Sequence, residues 1–488
     1  MESLKGKALK GIIWSAIERF STQGLSFILT IAIARLVSPE EYGLIAMLTV
    51  FIAISQSLVD SGFSNALIQK KQRTDVDIST VFYFNILISL IIYGILYFTA
   101  PCISNFYKES ILIIICRILG IDVIINSFAL VQRTILQINV DFKRLTKISL
   151  ISTLISGLLG VFFAWKGFGI WALLIQRLTN TVFQTILLWI TSDWRPHFLF
   201  SVISFRQLFS FGSKLMLGGL LHTIYMNLYP LIIGRFFTPI NVGLFTRAQQ
   251  LGTFPSTNIT YIVKRVTYPM LCAIQDDNER MEKSQFHIMR LTAFIVFPLM
   301  VGMAVLAEPL ISFLLTDKWL SASPMLSLLC FAYMWFPIMS LNDQLLNIKG
   351  RSDLSLRAEV LKKIVAILLL LGSISLGIKA VCASLVLYSF CDMIIVLLYV
   401  RKITQIGFID EIKNLMPICV ITIIMGSCIW MVEKVISTPL ASLIIGTITG
   451  IVVYFLLIFL FKMPERKYIN TVFKKAKLIF ENVIAYFI

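Results

Sequence analysis

Apolar stretches of roughly 20 residues recur from one end of this chain to the other, and each is long enough to cross a hydrocarbon core about 30 Å thick as a helix. They predict fourteen spans, at 11–36, 41–63, 79–100, 110–135, 147–165, 169–191, 207–235, 242–268, 285–308, 321–348, 358–377, 380–400, 413–435 and 439–462. Strands of a membrane barrel are excluded, because they are about ten residues of alternating polarity. The composition agrees: 58% of the 488 residues are hydrophobic and 14% charged, against about 45–50% and about 25% in soluble domains. The expected fold is an all-α polytopic membrane protein.

Lys and Arg between the spans and near their ends predict the orientation. With the N-terminus inside, the inner segments hold 29 basic residues and the outer loops five: Lys108, Lys166, Lys318, Lys379 and Lys434. Basic residues accumulate in cytoplasmic loops, so both termini are expected in the cytoplasm. This bias also accounts for the formal net charge of +17. Binding a nucleic-acid backbone requires basic residues clustered on one face; here they are scattered, and no nucleic-acid partner is expected. The longest loop is about 16 residues, too short for a soluble catalytic domain. Residues 463–488 alternate apolar positions with Lys474, Lys475 and Lys477, as an amphipathic helix on the anionic inner leaflet would. The first apolar stretch is too long and too polar for the core of a signal peptide, and no cleavage site follows it. The eight cysteines form no CxxC pair and are expected as free thiols. The three histidines (His197, His222 and His287) have no metal-ligand spacing, and no metal is expected.

The chain also repeats itself. Residues 33–44 read IARLVSPEEYGL and residues 233–244 read IGRFFTPINVGL, an offset of 200. Ser38 and Thr238 fit helix N-caps, and Pro39 and Pro239 fit first helical positions. A second echo, at an offset of 208, pairs Asn139, Lys143, Gly169, Ile170 and Ala172 with Asn347, Arg351, Gly377, Ile378 and Ala380. The repeat spans six helices, an even number, so the two copies are parallel, with a binding site expected between them. The predicted organisation is a first lobe at 1–191, a linker at 192–206, a second lobe at 207–400, two further helices at 401–462 and the tail at 463–488.

The chain resembles the polysaccharide flippases of the multidrug/oligosaccharidyl-lipid/polysaccharide exporter superfamily. The resemblance lies in Trp14, Ser15, Glu18, Arg19, Gln23 and Gly24; the turn ARLVSPEEYGL at 34–44; Asp60, Ser61, Gly62 and Phe63; and RVTYP at 265–269. It implies a transporter, not an enzyme, that moves undecaprenyl-diphosphate-linked oligosaccharide from the inner to the outer leaflet of the bacterial cytoplasmic membrane. The product would be O-antigen, capsule or exopolysaccharide. The implied form is two lobes around a V-shaped cavity working by alternating access, beside membrane lipids and the polymerase and glycosyltransferases of the same pathway. A drug/cation antiporter of the same superfamily is one alternative; the two additional helices and the intramembrane arginines weigh against it. A polysaccharide polymerase or ligase is another; the short outer loops weigh against that.

Ionisable groups within membrane spans are costly and face a cavity or a partner. Polar stripes run along the first helix (Ser15, Glu18 and Arg19, Thr22, Ser26, Thr30), the second (Thr49, Gln56, Asp60), the fourth (Asp122, Asn126, Arg133) and the sixth (Arg177, Thr181, Gln184). In the second half, Lys214 and Tyr225 lie in the seventh helix and Arg247 and Gln250 in the eighth. Candidate substrate-cavity residues are Arg19, Arg177, Arg247, Gln23, Gln184, Lys214 and Tyr225. Arginine suits phosphate oxygens, and amides and hydroxyls suit sugars. Lys214 lies near a helix end, where snorkelling to the interface explains it equally well. Glu18, Asp60 and Asp122 are candidates for coupling to a proton or sodium ion. No cofactor is expected, and no Walker motif is present. An inside-negative potential of about 100 mV favours outward movement by about 2.3 kcal/mol per negative charge, so the potential alone can drive export of a diphosphate. Pro230, Pro255, Pro298 and Pro337 interrupt helices of the second half, which fits either bending during transport or static kinks.

Overall fold

The computed structural model describes residues 4–60, 62–404, 406–436 and 438–467, with side chains from residue 20 onward. The described residues form helices and no strands. In chain order the helices are α1 (Leu4–Leu36), α2 (Pro39–Asp60), α3 (Phe63–Gln69), α4 (Asp75–Tyr107), α5 (Leu112–Ile138), α6 (Phe142–Trp165), α7 (Ile170–Thr191), α8 (Val202–Met226) and α9 (Leu228–Phe236). There follow α10 (Pro239–Cys272), α11 (Asn278–Val305), α12 (Ala307–Leu315), a 3-10 turn (Asp317–Ala322), α13 (Ser323–Tyr333), α14 (Phe336–Ile348), α15 (Ser352–Ile374), α16 (Ile378–Val400), α17 (Phe408–Val435) and α18 (Pro439–Leu460). The amphipathic helix expected at 463–488 lies, from residue 468 on, outside the described residues.

All fourteen expected ranges fall on helix, apart from a few end residues and the breaks described next. Among the described residues, nine helices are long and apolar enough to cross a membrane, or ten with α8 and α9 counted as one span bent by 43°. The chain is a multi-pass membrane protein. The helices α7, α10 and α15 are 22, 34 and 23 residues long, so polarity rather than length sets them apart, whereas the part of α1 with described side chains, Phe20–Leu36, is apolar but short. In α7 the polar positions are Gln176, Arg177, Asn180 and Gln184. The expected tenth span breaks at Met334 and Trp335, and Pro337 starts α14, where its missing N–H costs no helical bond. Pro255 and Pro298 lie inside continuous helices.

Both repeat signals have structural counterparts. Ser38 Oγ accepts from the Glu41 backbone N–H at 3.3 Å, and Glu41 Oε2 accepts from the Ser38 backbone N–H at 2.8 Å, a reciprocal cap at the start of α2. Thr238 Oγ1 accepts from the Asn241 N–H at 3.4 Å at the start of α10. The two starts meet: a Cβ on Gly43 would collide with the Pro239 carbonyl oxygen, and a Cβ on Gly243 with that of Pro39. Only glycine permits this reciprocal backbone approach. The second echo places Gly169 and Gly377 immediately before α7 and α16, with φ of 53° and 96°.

The described residues divide into two compact units, one ending at Thr246 and the other beginning at Arg247. The expected linker at 192–206 therefore lies inside the first unit, and α8 and α9 belong to it as well. Packing explains the difference from the repeat. Leu208 of α8 joins a buried cluster with Phe63, Leu67, Phe82 and Val131, and Arg235 of α9 donates to the Phe106 carbonyl at 2.6 Å. Elsewhere in this unit α6 packs on α1 and α7, and α5 on α4 and α7. In the second unit α17 packs on α11 and α18, and α16 on α13, α14 and α15. Gly446 and Gly450 of α18 admit Leu306 and Ile429, the close packing that small residues allow between membrane helices.

Candidate functional site: a polar pocket among α2, α5 and α7

Membrane helices bury polar side chains only where those groups satisfy one another or line a cavity. In the first unit both conditions hold at Asp122, near the middle of α5 and 2% exposed. Its Oδ1 accepts from Thr181 Oγ1 at 2.5 Å. Its Oδ2 accepts from Gln56 Nε2 at 3.0 Å and Arg177 Nε at 3.3 Å. Thus α2, α5 and α7 are tied through one carboxylate. The helical period builds this site: Arg177 and Thr181 are four residues apart on α7, so both face α5.

A cavity of about 400 Å³ opens beside this knot, lined by Gln56, Asp122, Asn126, Arg133, Gln176, Arg177, Asn180, Thr181 and Gln184. Arg133 donates to Gln184 Oε1 at 3.0 Å. Arg177 is 30% exposed, and its two terminal nitrogens make no hydrogen bond among the described residues. The formal charge of the lining is one positive, from two guanidinium groups and one carboxylate. The site can therefore orient a guanidinium fork by its inner nitrogen while presenting the outer pair to a ligand.

The structure brings together three of the expected site residues, Arg177, Gln184 and Asp122. Asp60, Gln23, Lys214 and Tyr225 are not among its lining residues. Asp60 closes α2 and accepts from Ser64 Oγ at 2.5 Å. Gln23 Oε1 is buried and accepts no hydrogen bond from the described residues. Lys214 is exposed and Tyr225 half-buried on α8. Arg247 belongs to the second unit, where it donates to Gln250 Oε1 at 2.5 Å. The side chains of Glu18 and Arg19 lie outside the described residues.

Two lining residues, Gln176 and Asn180, carry a signal in the sequence that goes unused above: with Gln184 they form an amide stripe at four-residue spacing. A second polar centre, in the other unit, is also absent from the sequence-based set. The Lys362 ammonium is 4% exposed inside α15. It lies 2.9 Å from Asp343, 2.7 Å from Glu359 and 3.4 Å from Asp392.

Comparison with known proteins bears on what this pocket serves. Residues 32–324, more than half of the chain and including every pocket residue, match the family model described as polysaccharide biosynthesis protein. The chain belongs to the polysaccharide biosynthesis protein family. It is 26% identical over 361 residues to the teichuronic acid biosynthesis protein TuaB of Bacillus subtilis (strain 168), covering 73% of this chain and 74% of that one. It is 24% identical over 366 residues to the lipopolysaccharide biosynthesis protein WzxC of Escherichia coli (strain K12), covering 74% of each. Its fold is that of a solved lipid II flippase, MurJ, in an inward closed conformation, with a TM-score of 0.75 at 17% identity over 94% of this chain and all of that one. For this family member the resemblance drawn from the first-helix, turn and RVTYP motifs holds.

Proposed function

We propose that this chain carries undecaprenyl-diphosphate-linked oligosaccharide from the inner to the outer leaflet of the bacterial cytoplasmic membrane. The observation that carries the proposal is the polar pocket around Asp122 and Arg177, set among apolar helices of a polysaccharide biosynthesis family member. A lipid-linked saccharide needs a polar path for its headgroup while its tail stays in lipid, and unsatisfied polar groups are tolerated at membrane depth only along such a path. In this reading the chain crosses the membrane fourteen times with both termini in the cytoplasm, and its two repeats alternate access to a shared path. Arg177 serves the polar headgroup of the cargo, with Arg247 and Arg19 as the candidates for its diphosphate. The membrane potential supplies the drive, about 2.3 kcal/mol per charge at about 100 mV. A proton or sodium ion bound at Asp60 or Glu18 is an added coupling route.

Reconstitution tests the reading. Proteoliposomes holding the full chain should move lipid-linked oligosaccharide, extracted from the source strain, to the opposite leaflet. An inside-negative potential should speed the movement, and Arg177→Ala should slow it at least about tenfold, the effect of losing one charge-assisted hydrogen bond of about 1.5–3 kcal/mol. Equal rates in protein-free liposomes would end the proposal.

A further inference from the structure

We infer that the pocket among α2, α5 and α7 is a saccharide subsite, one that holds a neutral sugar ring of the cargo rather than its diphosphate. The inference rests on the transport reading above and concerns the same cavity. Its basis is the chemistry of the lining. Five of the nine lining side chains are carboxamides: Gln56, Asn126, Gln176, Asn180 and Gln184. A carboxamide offers both donors and acceptors, as does each sugar hydroxyl, whereas a phosphate oxygen only accepts. A phosphate held here would set its oxygens against amide oxygens and the Asp122 carboxylate. A ring of hydroxyls would meet complementary partners on every side.

The present pairing strengthens the argument. Gln56 is committed to Asp122, and Gln184 accepts from Arg133. By contrast, Asn126, Gln176 and Asn180 make no side-chain hydrogen bond among the described residues, although all three line the cavity. Three half-buried amides without partners leave donors and acceptors available together. The terminal nitrogens of Arg177 add a planar fork able to bridge two neighbouring hydroxyls. At about 400 Å³ the cavity lies at the small end of ligand sites, a size for a sugar unit and not for a chain. Asp122 is then a positioning residue: it fixes Arg177, Thr181 and Gln56 by hydrogen bonds and faces the ligand through them.

The test compares two lipids on the purified full chain in nanodiscs. One probe is the lipid-linked oligosaccharide of the source strain, and the other is bare undecaprenyl diphosphate. Asn180→Leu and, independently, Gln176→Leu remove amide partners without changing charge. Each should weaken binding of the saccharide lipid by about tenfold, the loss of one or two hydrogen bonds, and leave bare diphosphate lipid within about twofold. Thermal unfolding identifies any variant that fails to fold, and Asn126→Ser then serves in its place. Equal weakening toward both lipids would make the pocket a diphosphate site, and unchanged binding of both would leave it no role in recognition; either result overturns the inference and spares the transport reading. If the unaltered chain binds neither lipid, both fall together.

Discussion

Asp122 in the first unit and Lys362 in the second are both buried charges on helices of a membrane protein, and their surroundings differ. Asp122 takes hydrogen bonds from Gln56, Arg177 and Thr181, and a cavity lined with amides adjoins it. Lys362, on α15, lies within 3.4 Å of carboxylates from three helices: Asp343 of α14, Glu359 of its own helix and Asp392 of α16. An ammonium has three donors, and three carboxylates surround this one. The Asp122 knot leaves the outer nitrogens of Arg177 available beside the cavity. Buried charge alone therefore does not mark a binding site. What distinguishes the two centres is whether a cavity with available donors adjoins the charge.

The widest separation between them should come from Lys362→Met. It strands Asp343 and Asp392, whose side chains are 20% and 15% exposed, without their cation. Removing one partner of a buried ion pair costs about 3–5 kcal/mol, so the variant should unfold at a clearly lower temperature in detergent or fail to accumulate. Near-normal unfolding would mean that Lys362 is dispensable to the fold, and the contrast would collapse. Asp122→Asn should cost less stability and more binding. The amide keeps an acceptor for Thr181, and Arg177, already 30% exposed, can turn toward water. We expect a smaller stability loss, about 1–3 kcal/mol, with a clear fall in saccharide-lipid binding because Arg177 loses its anchor. A stability loss equal to that of Lys362→Met, with binding intact, would make both centres structural.

The difference between the centres also marks how far the sequence could be read. Apolar length set the helix positions, and the offset of 200 set the paired helix starts at Pro39 and Pro239, because both are local properties of the chain. Asp122 and Arg177 stood out because ionisable residues in apolar spans are rare. That they share one hydrogen-bond knot depends on how α5 and α7 pack, which no periodicity encodes. Lys362 was hidden by the charges around it. Arg357, Lys362 and Lys363 read together as one inner basic cluster at the start of the span expected at 358–377, whereas α15 begins at Ser352 and carries Lys362 in to its acidic partners. The place of α8 in the first compact unit was likewise out of reach, since it follows from Leu208 fitting among Phe63 and Phe82, a contact between segments far apart in sequence.

The smallest effect sharpens the comparison from the other side. Arg351 and Asp353 form a two-bond fork, with Nε to Oδ1 at 2.9 Å and Nη2 to Oδ2 at 3.0 Å. Its geometry is better than that of the Arg177–Asp122 contact, yet both side chains are 48% exposed at the start of α15. Water solvates these charges equally well when they part, and salt screens them. Arg351→Ala should therefore leave the unfolding temperature and saccharide-lipid binding unchanged within error. If it destabilised the chain as Asp122→Asn is expected to, pairing geometry would govern these ionic contacts. If it does not, burial governs them, and the Asp122 and Lys362 centres are places where a charge change reaches the fold or the cargo.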